Sequence, residues 1–179
     1  MEAYLSRPDN VVVAAVQGPA DHTSKTLYDL PKASSSSVIV VKIDSASETD
    51  AADAILELRS SHNISAIDVV IANAGIAKAF PRVEDAQPPD FLEHFQVNAI
   101  GAVILFPVVL PLLRTSKKGA KFVAMGSTAG TIEAQERASI PNAVYGPSKA
   151  ALNWLMKKMH LENEDLIAFP IHPGWVLPY

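Results

Sequence analysis

The stretch GSTAGTIEAQERASIPNAVYGPSKAALNWL, residues 126–155, is the part of the sequence from which fold and function are best inferred. It places Ser127 directly after an apolar run, and Tyr145 and Lys149 at the opening of a predicted helix. Side chains four residues apart on a helix leave the same face one turn apart, so this tyrosine and lysine can act on one substrate. Because an ammonium stabilises a neighbouring phenolate, the pair suits proton transfer. The spacing predicts proton chemistry at a carbonyl or enol, carried by Tyr145.

On both sides of this stretch, short apolar runs alternate with segments of helical period. The runs are continuous, as is typical of strands covered on both faces, and they predict strands at residues 11–16, 38–43, 67–72, 121–125 and 166–171. Helices are predicted at about residues 23–30, 48–62, 90–114 and 145–161, and residues 2–7 look like the end of another. The alternation predicts an α/β fold, a Rossmann-like parallel sheet with helices on both faces.

Composition and charge exclude several classes of function. The 179 residues fit a single domain, because a chain of this length can bury most of its apolar surface in one core. The net charge of -4, without a cluster of Lys or Arg, predicts no nucleic-acid partner. The absence of cysteine excludes disulfides and thiolate catalysis, and it suits a reducing compartment such as the cytoplasm. The five histidines lack the spacing of paired metal ligands, so we expect no metal site.

The longest apolar run, residues 99–113, predicts a helix that stays out of the membrane. It is shorter than the roughly 20 residues that a bilayer span needs. It also contains Pro107 and Pro111, each of which should kink a helix. The N-terminus lacks a basic segment followed by an apolar one, so no secretory signal is expected. We therefore expect a buried or interface helix, no membrane partner and a cytoplasmic location.

Polar and turn-forming residues follow several of the predicted strands. Asn73 follows the third strand, Ser127 the fourth, and Pro173-Gly174 the fifth. In an open parallel sheet, ligands bind at the carboxyl ends of the strands. These positions are therefore candidates for one shared site.

With these residues in place, the chain resembles the short-chain dehydrogenase/reductase family. Five motifs carry the resemblance, in the family's order and across almost the whole chain: Asn73-Ala74-Gly75, Asn98 in VNAIG, Ser127 in GSTAG, Tyr145 and Lys149 in YGPSK, and HPGWV at residues 172–176. Any one of these motifs is weak. Five in sequence on alternating strands and helices are specific.

The resemblance implies a role for each of four residues. Tyr145 would be the general acid or base, and Lys149 would stabilise its phenolate and hold the ribose of a nicotinamide cofactor. Ser127 would orient the substrate carbonyl, and Asn98 would support a water-mediated proton relay. The resemblance also implies cofactor contacts at Asp44, Asn73, Ala74 and Gly75.

The sequence departs from the family pattern on the cofactor side. Family members begin with a strand and the loop TGxxxGxG, whose backbone N–H groups bind a pyrophosphate. Residues 2–7 look like the end of the helix after that loop, so we expect the first strand to be missing. An arginine common in relatives that prefer the phosphorylated cofactor is replaced by Gln17-Gly18-Pro19, and the family's threonine after PGWV by Leu177-Pro178-Tyr179. Losing the loop removes hydrogen bonds of roughly 1.5–3 kcal/mol each, which predicts weak binding of NAD(P).

These losses favour an enzyme that uses no cofactor. The leading hypothesis is a redox-neutral acid–base catalyst that isomerises, dehydrates or cyclises a small hydrophobic carbonyl or enol compound. One alternative is an NADPH-dependent ketoreductase, and another is a non-catalytic remnant that acts as a binding subunit. A further possibility is an incomplete gene product.

A missing central strand also predicts association of chains. In the family this strand lies between the first and third strands present here, and a gap would expose two unpaired edges. Either those strands pair directly, or another chain fills the space. The family's usual dimer packs the long helix and the tyrosine helix against a partner, and the apolar residues 99–113 suit that use. We therefore expect a homo-oligomer.

Overall fold

A computed structural model describes residues 1–137 and 140–174 of the chain. The chain divides into two compact units, Met1–His62 and Asn63–Tyr179. Each unit has its own parallel sheet. The single domain expected from the chain length stays a prediction.

The first unit is a two-stranded parallel sheet covered by a helix. Strand β1 pairs with β2 in register, from Val11 opposite Ser37 to Val16 opposite Lys42. The longest described helix of this unit, α3 (Asp50–His62), buries Ala51, Ala54 and Leu58, which recur at the spacing of one helical face. The elements in chain order are α1 (Glu2–Leu5), β1 (Val11–Val16), α2 (His22–Lys25) with a 3-10 turn (Thr26–Asp29), β2 (Ser37–Lys42) and α3 (Asp50–His62).

The second unit is a three-stranded parallel sheet in the order β3-β4-β5. The central strand β4 buries Phe122 and Ala124 on one face, and the ring of Phe106 meets Phe122 edge-on at a centroid distance of 5.1 Å. The elements are β3 (Val69–Ala72), α4 (Pro88–Phe95), α5 (Gly101–Arg114), β4 (Lys121–Met125), α6 (Tyr145–Glu162) and β5 (Ile167–Ile171), with 3-10 turns at Val83–Asp85, Thr128–Gly130 and Glu133–Arg137.

The predicted α/β fold with its parallel strands is confirmed, and most element ends lie within two residues of the expected ones. One helix begins earlier than expected, at Pro88, because proline fits the first turn of a helix, where no N–H donor is needed. The expected helix at residues 23–30 is one α-turn followed by one 3-10 turn.

The long helical stretch contains an irregular turn. Helices α4 and α5 are joined by a π-helical turn, Gln96–Ile100, and α5 then continues through Pro107 and Pro111. A π-turn inserted in an α-helix frequently marks a functional site. This turn carries Asn98.

The stretch Pro88–Arg114 is the one described helix long and apolar enough to cross a membrane, with a mean hydropathy of 2.0 over its most apolar window. Part of its surface packs against the rest of its unit. Val109, Leu112 and Leu113 are buried, and the carbonyl of Leu112 accepts a hydrogen bond from the N–H of Ile67 in the same unit. Length and composition alone are weak support for a membrane span.

Candidate active site

The loop after β4 holds Ser127 in a defined conformation. Ser127 has extended backbone geometry and caps the 3-10 turn Thr128–Gly130, and its Oγ accepts a hydrogen bond of 3.2 Å from the N–H of Ala129. A capping hydroxyl that accepts in this way keeps its own hydrogen available to donate. Ser127 is half-buried, so a ligand can reach that hydrogen.

The same turn packs directly against the start of α6. A Cβ added at Gly130 would lie 2.6 Å from backbone atoms of Lys149 and Ala150, closer than any side chain tolerates. The glycine therefore permits a backbone-to-backbone contact between the serine turn and the tyrosine helix.

Tyr145 and Lys149 lie one turn apart at the N-terminal end of α6, as predicted. The ammonium Nζ of Lys149 lies 5.7 Å from the centroid of the Tyr145 ring and donates a 2.8 Å hydrogen bond to the carbonyl of Met125. Lys149 is only 3% exposed, and this burial lowers the pKa of its ammonium from the ordinary value of 10.5. The structure therefore places the Lys149 ammonium beside the ring of Tyr145.

Asn98 is buried in the π-turn and bonded through its whole amide group. Its Oδ1 accepts from the N–H of Ile76 at 2.7 Å, and its Nδ2 donates to the carbonyl of Ile76 at 2.9 Å and to Ser148 Oγ at 2.9 Å. Ser148 is fully buried, and its hydroxyl donates to the backbone carbonyl of Tyr145 at 2.7 Å. The amide therefore ties the loop after β3 to the first turn of α6.

Gly75 lies against the Asn98 amide and the Lys149 ammonium. A Cβ built on this residue would lie 3.1 Å from Asn98 Oδ1 and 3.2 Å from Lys149 Nζ. Asn73 and Ala74 precede it on the exposed part of the same loop. The structure thus brings Gly75, Asn98 and Lys149 together.

Asp44 lies in the first unit, beyond the end of β2. Its Oδ1 accepts a 2.8 Å hydrogen bond from the N–H of Ala46, and its own N–H donates to Asp50 Oδ2 at 3.0 Å. A cofactor contact at Asp44 stays a prediction.

Phe80 adds an aromatic side chain next to the tyrosine. Its ring centroid lies 5.8 Å from that of Tyr145 at an interplanar angle of 53°, and the residue is 47% exposed. The loop that carries it is held to the segment before α6 by a hydrogen bond from the N–H of Ala143 to the carbonyl of Pro81. An apolar surface therefore lies beside the phenol.

Sequence reasoning missed Ser148, Phe80 and the contacts of Ile76. Ser148 could have been found, because it lies three residues after Tyr145 and so shares its helix face. Phe80 and Ile76 lie in a loop whose path no periodicity predicts. No group of metal-ligating side chains occurs among residues 1–137 and 140–174, and Trp175 and Val176 of the HPGWV motif lie outside the described residues.

Comparison with known sequences identifies the family. The pattern of the short chain dehydrogenase family matches residues 3–176. The chain belongs to this family, as its motifs predicted.

Similar curated proteins include ketoreductases and short chain dehydrogenases. The chain is 46% identical over 176 residues to norsolorinic acid ketoreductase nor1 of Dothistroma septosporum, covering 97% of this chain and 65% of that protein. It is 41% identical to the short chain dehydrogenase gsfK of Penicillium aethiopicum, covering 97% and 68%. It is 38% identical to norsolorinic acid ketoreductase of Aspergillus parasiticus, covering 98% and 65%. The chain thus spans about two thirds of the length of these relatives.

Solved structures share the fold at lower identity. The chain superposes on the NADPH-bound carbonyl reductase from chicken fatty liver with a TM-score of 0.83 at 24% identity, covering 96% of this chain and 71% of that one. The carbonyl reductase Sniffer of D. melanogaster gives a TM-score of 0.82 at 22% identity, covering 97% and 73%.

The relatives correct the hypothesis of a redox-neutral catalyst that needs no cofactor. Two of them, at 46% and 38% identity, are named as ketoreductases, so both the redox-neutral reaction and the absence of a cofactor are wrong as leading predictions. Those predictions rested on the glycine-rich loop that the sequence lacks. This chain matches about two thirds of the length of each relative, so it gives no information about the residues outside that match. The residues around Tyr145, in contrast, are present in the sequence and lie together in the structure.

Proposed function

We propose that this chain is a ketoreductase that reduces the ketone of a small hydrophobic compound with a reduced nicotinamide cofactor. The observation that carries the proposal is the buried ammonium of Lys149 beside the ring of Tyr145. The names of the ketoreductases at 46% and 38% identity support the same reaction class.

The residues present fit a nicotinamide cofactor. An ammonium has three N–H donors, and that of Lys149 makes one described hydrogen bond, to Met125, so two donors remain for ribose hydroxyls. The missing side chain of Gly75 keeps space beside this ammonium. Lys149 and Gly75 would hold the cofactor, with further contacts proposed at Asn73 and Ala74. The bound cofactor would supply the hydride.

The chain's own residues handle the proton and the carbonyl oxygen. Tyr145 donates its phenolic proton to the carbonyl oxygen as the carbon is reduced, which leaves a phenolate that the Lys149 ammonium stabilises. Ser127 donates its hydroxyl hydrogen to the same oxygen, where negative charge develops. Asn98 and Ser148 hold the first turn of α6 so that the phenol keeps its position.

The surface beside the phenol favours a hydrophobic substrate. Phe80 is half-exposed next to the Tyr145 ring, and an aromatic face of this kind binds flat apolar molecules by stacking. A ketone with an aromatic ring is therefore the proposed substrate class.

Consumption of NADPH in the presence of aromatic ketones tests the proposal. We expect the wild-type protein to oxidise NADPH only when a ketone is present, and Tyr145→Phe to lower kcat by at least about 100-fold, because the proton donor is removed. Tyr28→Phe makes the same chemical change at an exposed position of the first unit and should leave kcat unaltered. Equal activity of wild type and Tyr145→Phe would overturn the proposal and would favour a non-catalytic binding role.

We also propose that the chain forms homo-oligomers and acts in the cytoplasm. Apolar side chains are exposed on α5 and α6, among them Val103 at 41% and Trp154 at 72%, and they would be covered by a second copy. The buried residues of the 88–114 helix and the absence of cysteine support a cytoplasmic location. Light scattering that gives the mass of a monomer would contradict the first proposal, and recovery in the membrane fraction the second.

A further inference from the structure

His94 is a fully buried histidine that the reaction described above does not use. It lies on α4, one helical turn before Asn98, so both side chains leave the same face of the helical stretch. We propose that His94 is a positioning residue that, with Asn98, fixes the loop carrying Gly75 against Lys149. This proposal rests on the proposed function, because the loop matters only if Lys149 and Gly75 form a cofactor site.

The hydrogen bonds of His94 define which ring nitrogen carries the hydrogen. Nδ1 lies 2.7 Å from the carbonyl of Asp90, and a carbonyl can only accept, so Nδ1 donates. Nε2 lies 3.1 Å from the N–H of Lys78 and therefore accepts with its lone pair. The ring therefore bridges helix α4 and the loop after β3 by two hydrogen bonds.

The loop after β3 is thereby held at two residues, Ile76 and Lys78. Asn98 forms hydrogen bonds with both the N–H and the carbonyl of Ile76, and His94 accepts a hydrogen bond from the N–H of Lys78. The side chain of Lys78 also pairs with Glu93, but both groups are largely exposed, and exposed ion pairs contribute little. The position of the loop therefore depends on the two buried side chains.

Gly75 links the position of the loop after β3 to the proposed cofactor site beside Lys149. Its α-carbon approaches Asn98 Oδ1 and Lys149 Nζ so closely that a Cβ would lie 3.1 and 3.2 Å from them. If the anchor at Lys78 is lost, the loop is held on one side only, and the space beside the ammonium changes shape. Cofactor affinity should fall while the fold of α4 stays intact.

Two conservative variants separate positioning from packing. The glutamine of His94→Gln can place an acceptor near the position of Nε2, whereas the asparagine of His94→Asn has a side chain too short for its acceptor to reach the N–H of Lys78. Dissociation constants for NADPH, measured by its fluorescence, should stay within about threefold of wild type for Gln and rise about tenfold for Asn, the loss of one hydrogen bond. His160→Asn is the matched control, because its Nδ1 contacts the Leu166 carbonyl far along α6. It should bind NADPH as wild type does.

A spectroscopic measurement makes the result independent of activity and cofactor. In ¹H–¹⁵N spectra of the full chain, the amide resonances of Gly75 and Lys78 should shift in His94→Asn, return towards wild type in His94→Gln, and stay unmoved in His160→Asn. Unchanged resonances in His94→Asn, or equal effects of Asn and Gln, would overturn the proposal. If the proposed function alone is wrong, wild type will not bind NADPH, yet the resonances will still respond as stated.

Discussion

Among the described residues, each of the two units contains one buried charged side chain, Asp50 in the first and Lys149 in the second, and the surroundings of these two charges differ. In the first unit, the Asp50 carboxylate accepts hydrogen bonds from the N–H of Asp44, the Ser47 hydroxyl and the Lys42 ammonium. These donors lower the pKa of Asp50 below 3.8. In the second unit, burial lowers the pKa of Lys149, and its one described hydrogen-bond partner is the Met125 carbonyl.

Both pKa values are lowered, but the two charges have opposite effects on the free energy of unfolding. A lowered pKa means that the charge is favoured in an acid and disfavoured in a base. The chain itself satisfies the charge of Asp50, whereas it keeps Lys149 buried at a cost to stability. A charge retained in this way, next to a phenol and with donors to spare, is typical of a functional site.

Removing the Lys149 charge is the change with the largest expected effect. Lys149→Met keeps an unbranched side chain of similar length, and we expect kcat to fall about 100- to 1,000-fold because the phenolate loses its stabilising charge. The free energy of unfolding should rise, since the cost of burying the ammonium exceeds the lost hydrogen bond to Met125. Chemical denaturation and NADPH turnover measure both quantities. Lys157→Met, at an exposed position of the same helix, should change neither.

The pH dependence of stability provides a second measurement of the cost of burying the Lys149 charge. Because the folded pKa of Lys149 is lowered from 10.5, the unfolded chain binds more protons between the folded pKa and 10.5. The free energy of unfolding should therefore rise with pH in that window, and this rise should be smaller in Lys149→Met. Identical slopes in the two proteins would show that burial does not penalise the charge.

A methyl group at Gly75 should have an intermediate effect. In Gly75→Ala the new Cβ would crowd Asn98 Oδ1 and Lys149 Nζ, so the loop or the ammonium must shift by a few tenths of an ångström. We expect kcat/KM to fall about tenfold, because small misplacements at a site are costly. Ala77→Ser alters the same loop at an exposed position and serves as the control. Unchanged kcat/KM in Gly75→Ala would mean that the close approach is not needed.

Asp50→Asn should have the smallest effect on activity. The amide accepts fewer hydrogen bonds and carries no charge, so the midpoint of unfolding should fall while kcat stays unchanged. The folded pKa lies below the unfolded value of 3.8, so the carboxylate contributes its full stability above pH 3.8. That contribution is lost as pH falls through the folded pKa, and wild type and variant should then converge. Asp53→Asn, exposed on the same helix, should not alter the midpoint.

Much of the fold could be predicted from the sequence because its signals are local. Continuous apolar runs predicted the five strands found among the described residues, and the four-residue spacing of Tyr145 and Lys149 predicted their shared helix face. The π-turn around Asn98 was not predicted, because its extra residue leaves no mark in the apolar period. The start of α4 at Pro88 was missed because paired prolines were interpreted as a loop.

The sequence predicts which residues form the candidate site, and that assignment stays a prediction, but the contacts between those residues could not be predicted. Lys149 could be identified as a partner of Tyr145, yet its hydrogen bond to Met125 depends on how β4 and α6 pack. The anchors at Ile76 and Lys78 depend on the path of a loop, and loop paths follow from tertiary contacts. The function was misjudged for a different reason, because residues absent from the sequence were given more weight than the residues around Tyr145.

Transfer of a labelled hydride tests the central claim most directly. The protein is incubated with an aromatic ketone and NADPH that carries deuterium at both hydrogen positions of its reactive carbon, and the product is analysed by mass spectrometry. The account predicts an alcohol with one deuterium on the carbinol carbon, formed by wild type and not by Tyr145→Phe. A product without deuterium, or one formed equally by Tyr145→Phe, would contradict it.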